Sequence, residues 1–494
     1  MEEGTERRAL TPAEILALRE IVGAAHVLVL PDDLEPYAHD WTEDFIHVPA
    51  AAVRPRSTAE VSRVLALCNE RAIPVTPQGG RTGLSGGALA LHGGVALSLD
   101  RMDTILEIDR ANLVVIVEAG VITQRVHEAV EEQGLSYPPD PASRGSCTIG
   151  GNVAENAGGP HAAKYGVTGK WVLGLEAVLA DGSVLVTGGK TRKDVAGFDL
   201  TALLVGSEGT LAVVTKAWLR LMHRPTCWAT LIAPFGTLEQ AARCVVALHD
   251  AGLVPAACEI VDRPAAEVSS RRKGESLPFP EAEARLLIEF DGAADAEVER
   301  EATLAGEIAL ECGALDVVLA TDEAKRRRLW EIRRGIGEAV RELGPSAELD
   351  LGVPRTALVS LVESVRRISA EAGLAAVSFG HASDGNLHVH LYRDVRGGSA
   401  REIADIAREG HTAPGAAHDE ADAVRFGAAT RAIYAAAAAL GGTVTGEHGV
   451  GITSREHLSL CRSRAYIDAL RAIKRALDPL GILNPGKLIP SPPG

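Results

Sequence analysis

An α+β fold of at least two domains is what the sequence predicts, on three observations. At 494 residues the chain exceeds the ~250–300 at which a single hydrophobic core stops growing. Its first 225 residues interleave short strand-like runs with three passages dense in glycine. Beyond Arg224 amphipathic helices alternate with short strands, the pattern of a separate α+β domain.

The elements follow in order. Residues 1–47 read as a helical lead-in. Ser57 and Glu60 have capping-box spacing, and Val61, Val64, Leu65 and Cys68 follow at helical intervals. "AIPVTP" is a short strand that opens the first glycine-rich loop, residues 78–94. "VALSLD", "TILEID" and "LVVIVEAG" are successive strands, and "TQRVHEAVEEQG" is a helix closed by Gly134. The second glycine-rich passage, 141–166, feeds "VLGLEAVLADGSVLV", in which Asp181 and Gly182 make a hairpin turn. The third passage spans 203–221. Residues 394–430 are polar and rich in Ala and Gly, which predicts a mobile excursion. The chain ends on a helix, "YIDALRAIKRALDP", and the tail "GILNPGKLIP". The predicted domains are 1–47, 48–225, 226–440 and 441–494.

Charge and cysteine usage remove several classes of function. A net charge of −16 argues against nucleic-acid binding, which depends on Lys and Arg neutralising phosphates. The seven cysteines (Cys68, Cys147, Cys227, Cys244, Cys258, Cys312 and Cys461) contain no Cys-x-x-Cys, against thiolate zinc and iron–sulfur sites. Their odd count and scatter suit reduced thiols in the cytoplasm. The N-terminal stretch lacks the apolar core of a signal peptide, and no apolar run approaches the ~18 residues that span a bilayer. A soluble protein follows, with docking on a membrane surface still compatible.

The glycine-rich loops are not a Rossmann fingerprint. The spacing differs from Gly-x-Gly-x-x-Gly, and the chain turns strand-like after Gly87 rather than helical. Closely spaced glycines nevertheless let backbone N–H groups converge on an anion. One such loop is as readily a set of ordinary turns; three within about 150 residues favour a large ligand.

"PVTPQGGRTGLSGGA", "CTIGGNVAENAGGPHAAKYGV" and "LLVGSEGTLAVVTKAWLRL" resemble the three signature segments of the vanillyl-alcohol-oxidase superfamily, with its PCMH-type FAD-binding domain. Within it the chain is most similar to the FAD-linked subunit of glycolate oxidase and to D-lactate and D-2-hydroxyglutarate dehydrogenases. The resemblance covers most of 40–225 and resumes in the C-terminal third. It implies a two-subdomain FAD-binding domain followed by an α+β cap domain. It further implies that Gly79, Gly80, Arg81, Thr82, Gly83, Gly86 and Gly87 hold the FAD pyrophosphate, with Pro77 among the cofactor-binding residues. Pro141, Thr148, Gly150, Gly151, Asn152, Asn156 and Gly158 would line the isoalloxazine and ribose. Gly206, Glu208, Gly209 and Val214 would sit near the adenine or ring edge, and Asn484 near the flavin. Arg81 departs from the Gly or Asn usual in relatives. Neither loop has the His or Cys placement used for covalent flavin, so noncovalent FAD is expected.

"FGHASDGNLHVHL", residues 379–391, poses a separate question. With Asp384 and Gly385 as a two-residue turn, His381 would pair directly with His388, their Cβ atoms ~5 Å apart. Alternation puts His388 and His390 on one face. Two histidines alone are more often a cross-strand polar pair. Glu447 and His448, between glycines in "TGEHGVG", add a carboxylate on a permissive turn, and two His plus one carboxylate leave open positions for substrate. The resemblance implies the same set: His381, His388 and Glu447 bind a divalent metal (Zn, Mn or Fe), with Asn386 in support. His390 has no place in that pattern.

His448 is then the expected general base and Arg333 the arginine that grips the substrate carboxylate. Two departures weaken the resemblance to D-2-hydroxyglutarate dehydrogenases, which implies a hydroxyl residue where Gly337 stands and, where Glu348 stands, a lysine to hold a distal carboxylate. The predicted reaction is oxidation of a D-2-hydroxy acid, D-lactate or glycolate before D-2-hydroxyglutarate. Electrons would pass to a quinone, a cytochrome or an electron-transfer flavoprotein, in a homodimer or with partner subunits. The rivals are a flavin-dependent transferase of the alkyl-dihydroxyacetonephosphate-synthase type and a noncatalytic FAD-binding subunit.

Overall fold

Two compact units make up the chain: residues 1–159, 166–224 and 447–494 form the first, and 160–165 with 225–446 the second. The computed structural model describes residues 7–42, 45–274, 277–320, 322–341, 346–393 and 420–491.

The first unit is built on two main sheets. One takes Val27–Leu28, Ala51–Val53, Val95–Ser98 and Val75–Gln78 in that order, the last two pairings parallel. Helix Thr58–Glu70 packs Val61, Val64, Leu65 and Cys68 into its core beside Val75, Val95 and Leu97. Ser57 caps this helix by accepting from the Glu60 N–H, but the Glu60 carboxylate takes the Arg56 N–H, so only half of the capping box forms. The second sheet is antiparallel, ordered Ile105–Asp109, Val114–Glu118, Val213–Arg220, Val172–Val178 and Val184–Gly188. Gly182 turns its hairpin at φ +89°. The second glycine-rich passage contains a short helix, Ile149–Glu155, started by Thr148 accepting from the Gly151 N–H. The C-terminal tail returns to the first sheet: Val75 N donates to Ile482 O and Asn484 N to Val75 O.

The second unit is a seven-stranded antiparallel sheet, ordered Val318–Ala320, Cys227–Phe235, Ala284–Gly292, Ala257–Asp262, Ala375–His381, Asn386–Tyr392 and Ser346–Gly352. Because opposed residues share a face, Glu289, Glu259, His381, His388 and Asp350 lie on one face across five neighbouring strands. That face also carries Ile232, Val261, Leu287, Val377 and Phe379, packed with Trp330, Ile332 and Ile336. Segment 160–165 is tied to this unit by Lys164 and Tyr165, both bound to the Asp291 carboxylate.

Two sequence expectations change. The hairpin after His381 is not a two-residue turn: Ala382–Asp384 form a 3-10 turn closed by Gly385 at φ +78°. The register therefore moves by two, so Phe379 opposes His388 and Val377 opposes His390. An even shift keeps every side chain on its face. Of the stretch 394–430, residues 394–419 lie outside the described residues, and a helix, Glu420–Ala439, begins where they end.

Candidate active site

The three glycine-rich passages of the first unit surround an open cleft, the concave kind of site that small-molecule and cofactor ligands take. Among the residues expected at a cofactor, Pro77, Gly79, Gly80, Arg81, Thr82, Gly83, Gly87, Pro141, Thr148, Gly150, Gly151, Asn152, Gly158, Glu208, Gly209, Val214 and Asn484 line it. Gly86, Asn156 and Gly206 do not. Their backbones lie in the left-handed region, at φ +77°, +55° and +73°, and Asn156 Oδ1 accepts from the Gly169 N–H at 2.8 Å.

The passages are closely interlocked. A Cβ on Gly79 would strike Thr148 Oγ1, and one on Gly80 would strike the Ser146 carbonyl. Glycine here lets the first passage lie directly against the second. Arg81 stands at the cleft with its guanidinium 5.0 Å from the Tyr37 ring centre. It is the one Arg or Lys side chain among the described lining residues, so an anion in the cleft would meet backbone N–H groups and Arg81. A large dianionic cofactor such as FAD fits that lining.

Sequence reasoning missed Glu155. Glu155 lines the cleft beside Glu208, and burial, with Glu208 close by, lifts its carboxyl well above the usual range. Burial also lifts Glu208, although the Val450 and Gly451 N–H groups pull it down. Lys487 sits beneath, donating to Gly87 O, Leu89 O and Asn484 Oδ1. Burial draws its ammonium down to about 7 against Asp40, Glu208 and Glu155. Cys147 also lines the cleft, its sulfur 3.2 Å from Thr123 Oγ1. Burial pushes that thiol up, the reverse of what a nucleophile needs. Glu155 lies within a quoted signature segment, yet only its neighbours carried an expected role.

Glu447 and His448 line the same cleft. A Cβ on Gly158 would run into the Glu447 carboxylate, so the second passage approaches this loop as closely as it does the first.

In the second unit the histidines of the hairpin are paired with carboxylates. His381 Nδ1 lies 2.8 Å from Glu259 Oε1, and His388 Nδ1 3.4 Å from Asp350 Oδ1. The two imidazoles meet edge to face, centroids 5.4 Å apart. Asp350 also accepts from Asn386 Nδ2 at 2.7 Å, Thr445 Oγ1 at 2.9 Å and the Gly446 N–H at 2.7 Å. A carboxylate on Nδ1 orients an imidazole to present Nε2, the arrangement in which histidine binds a metal ion. The donor set therefore fits a divalent metal.

Arg333 is buried, with Nη2 2.5 Å from Glu259 Oε2 and its guanidinium 5.1 Å from the Phe379 ring centre. Burial would raise the Glu259 carboxyl, but Arg333 and His381 bring it below its ordinary value. His390 is stacked on Phe379, centroids 5.6 Å apart, with Nε2 3.8 Å from Glu348 Oε1. Its packing against Phe379 accounts for a histidine outside the ligand pattern. None of the carboxylate partners of these side chains was legible as such in the sequence.

Comparison with known proteins bears on both units. Residues 49–188 match a family model described as FAD binding domain, and residues 224–488 one described as FAD linked oxidases, C-terminal domain. Glycolate oxidase subunit GlcD of Bacillus subtilis is 41% identical over 92% of this chain and 91% of its own length. A D-lactate dehydrogenase of Archaeoglobus fulgidus is 37% identical over 92% and 96%. A D-2-hydroxyglutarate dehydrogenase of Xanthomonas citri is 34% identical over 97% of each. Among solved structures, p-cresol methylhydroxylase shares the fold at a TM-score of 0.75 and 18% identity, covering 98% of each chain. An alkyldihydroxyacetonephosphate synthase does so at 0.69 and 16%, covering 99% of this chain and 88% of its own.

Proposed function

The chain belongs to the FAD-linked oxidases, and on that premise we propose that it oxidises a small D-2-hydroxy acid, D-lactate or glycolate, to the 2-oxo acid with the help of a divalent metal. It is an FAD-dependent oxidoreductase of the glycolate oxidase, D-lactate dehydrogenase and D-2-hydroxyglutarate dehydrogenase type.

The observation that carries the metal-assisted reading is the hydrogen bond between Glu259 and His381, with the Asp350 carboxylate 3.4 Å from His388 Nδ1. His381, His388 and Glu447 are the proposed ligands. Zinc, manganese or iron held there supplies the positive charge that favours ionisation of a substrate hydroxyl. Asp350, which faces His388, also holds the Gly446 N–H, and the chain runs directly on into Glu447 and His448.

His448 takes the hydroxyl proton, the general-base role that histidine most often fills. Arg333, anchored by Glu259, offers its guanidinium to the substrate carboxylate. The residues lining the cleft bind FAD noncovalently, with Gly86, Asn156 and Gly206 next to them in the chain. FAD held there would supply the two-electron acceptor that oxidation of the substrate carbon requires. Electrons then leave to a quinone, a cytochrome or an electron-transfer flavoprotein.

D-2-hydroxyglutarate is the second reading, and the acidic Glu348 beside His390 disfavours its distal carboxylate. Among the described residues no helix is long and apolar enough to cross a membrane. Metal analysis together with anaerobic flavin bleaching by D-lactate, glycolate and D-2-hydroxyglutarate tests the proposal. Bleaching by none of them would point to the transferase or noncatalytic reading.

A further inference from the structure

Glu208 was expected near the cofactor, yet its carboxylate is directed elsewhere. Oε1 accepts from the Val450 N–H at 2.7 Å and Oε2 from the Gly451 N–H at 2.8 Å. These are the second and third residues after His448. We infer that Glu208 is a positioning residue: its carboxylate holds the backbone of Val450 and Gly451 and so sets where His448 stands in the cofactor cleft. The inference rests on the reading of His448 as the base.

Three features of Glu208 itself support it. Glu208 has φ +51° between two positive-φ glycines, Gly206 and Gly209. A left-handed backbone is costly for a residue with a Cβ, so an acidic side chain at that place answers a need that glycine could not meet. The side chain is 5% exposed, and a buried carboxylate is tolerated when charge-assisted hydrogen bonds compensate it. Both oxygens are used on adjacent N–H groups of a single loop.

The Glu208 backbone is itself fixed, its N–H donating to Ala154 O at 2.8 Å and its carbonyl accepting from Asn484 Nδ2 at 2.7 Å. The clamp therefore links the His448 loop to the helix Ile149–Glu155 and to the C-terminal tail, both of which line the same cleft.

Neighbouring contacts confine the loop further. Ile452 N donates to Ser85 O at 2.8 Å, and a Cβ on Gly451 would strike that same carbonyl. On the other side a Cβ on Gly449, at φ +85°, would run into the Glu155 carboxyl, whose Oε2 has no hydrogen-bond partner among the described residues. Glu155 thus bounds the loop by contact and Glu208 by hydrogen bonds. Losing one acceptor at Glu208 would free the backbone two residues from the imidazole while leaving the glycine-rich lining intact.

The test is a double-mutant cycle on the FAD-loaded protein, reading anaerobic flavin reduction by the 2-hydroxy acid that reduces the parent fastest. Glu208→Gln keeps the size of the side chain and one acceptor. The expected result is a parent-like flavin absorbance, with reduction slowed about tenfold or more. In a His448→Ala background the same change should slow reduction no further. Equal slowing in both backgrounds overturns the inference, as does loss of FAD from Glu208→Gln with a normal rate per bound flavin. If His448→Ala alone reduces flavin as fast as the parent, the base assignment fails instead, and the two failures are distinct. Should Glu208→Gln not fold, Glu208→Asp, which keeps the charge but shortens the reach, decides by the same comparison.

Discussion

His381 Nδ1 lies 2.8 Å from Glu259 Oε1, and the other oxygen of that carboxylate holds Arg333. A single buried carboxylate thus joins the proposed metal ligand to the proposed substrate-binding arginine. Glu259→Gln should lower metal affinity about 10–100-fold, the usual effect of removing a carboxylate behind a metal-binding histidine. It should also raise KM through Arg333. Metal titration with elemental analysis checks the first effect and steady-state kinetics the second; unchanged metal content would separate Glu259 from the ligand.

Arg81 is the cation that the cleft offers an anionic cofactor. Arg81→Gln should weaken FAD binding about tenfold, with weaker dependence on salt, because a charge-assisted contact is lost. Flavin fluorescence titration of the apoprotein at two ionic strengths measures both. An unchanged Kd would mean that Arg81 serves its contacts with Tyr37 and the Gly79 carbonyl instead.

The Glu289 carboxylate predicts acid lability. Burial would raise its pKa, but hydrogen bonds from His161 and Arg326 hold it far below 4.5. As pH falls below about 4.5 the unfolded chain takes up this proton before the folded chain does. The stabilisation is therefore full above about 4.5 and is lost as pH falls toward the folded value. Glu289→Gln should cost about 3 kcal/mol at neutral pH, by leaving Arg326 partly uncompensated, and its Tm should depend less on pH between ~6 and ~3. Parallel pH dependence in parent and variant would refute the assignment.

Glu348 faces His390 with Oε1 3.8 Å from Nε2. Glu348→Lys should lower KM for D-2-hydroxyglutarate about tenfold by replacing repulsion with attraction, and should leave the smaller monocarboxylates nearly unaffected. Kinetics on both substrate types decides; no change for the dicarboxylate would place its distal carboxylate elsewhere.

Features carried by local spacing were legible in the sequence. The glycine-rich passages, the helix Thr58–Glu70 and the two histidine clusters were found because each depends on residues near one another in the chain. The hairpin register was misjudged by two, because Asp384 and Gly385 signal a turn without showing that Ala382–Asp384 coil into a 3-10 turn first. The faces were nevertheless right, since alternation survives an even shift. Long-range partners were hidden. Glu259 is 122 residues from His381 and Glu208 is 242 from Val450, and a lone Glu in a strand or loop carries no mark of the backbone or imidazole it will meet.

A metal held through His381, His388 and Glu447 is proposed to assist flavin reduction. The direct measurement is the anaerobic rate of flavin bleaching by D-lactate or glycolate before chelation, after chelation, and after a divalent metal is restored, with bound FAD measured each time. The rate should fall at least about a hundredfold on chelation, with FAD retained, and recover on restoring the metal. A metal-free, FAD-loaded protein that reduces its flavin at the parent rate would contradict that role.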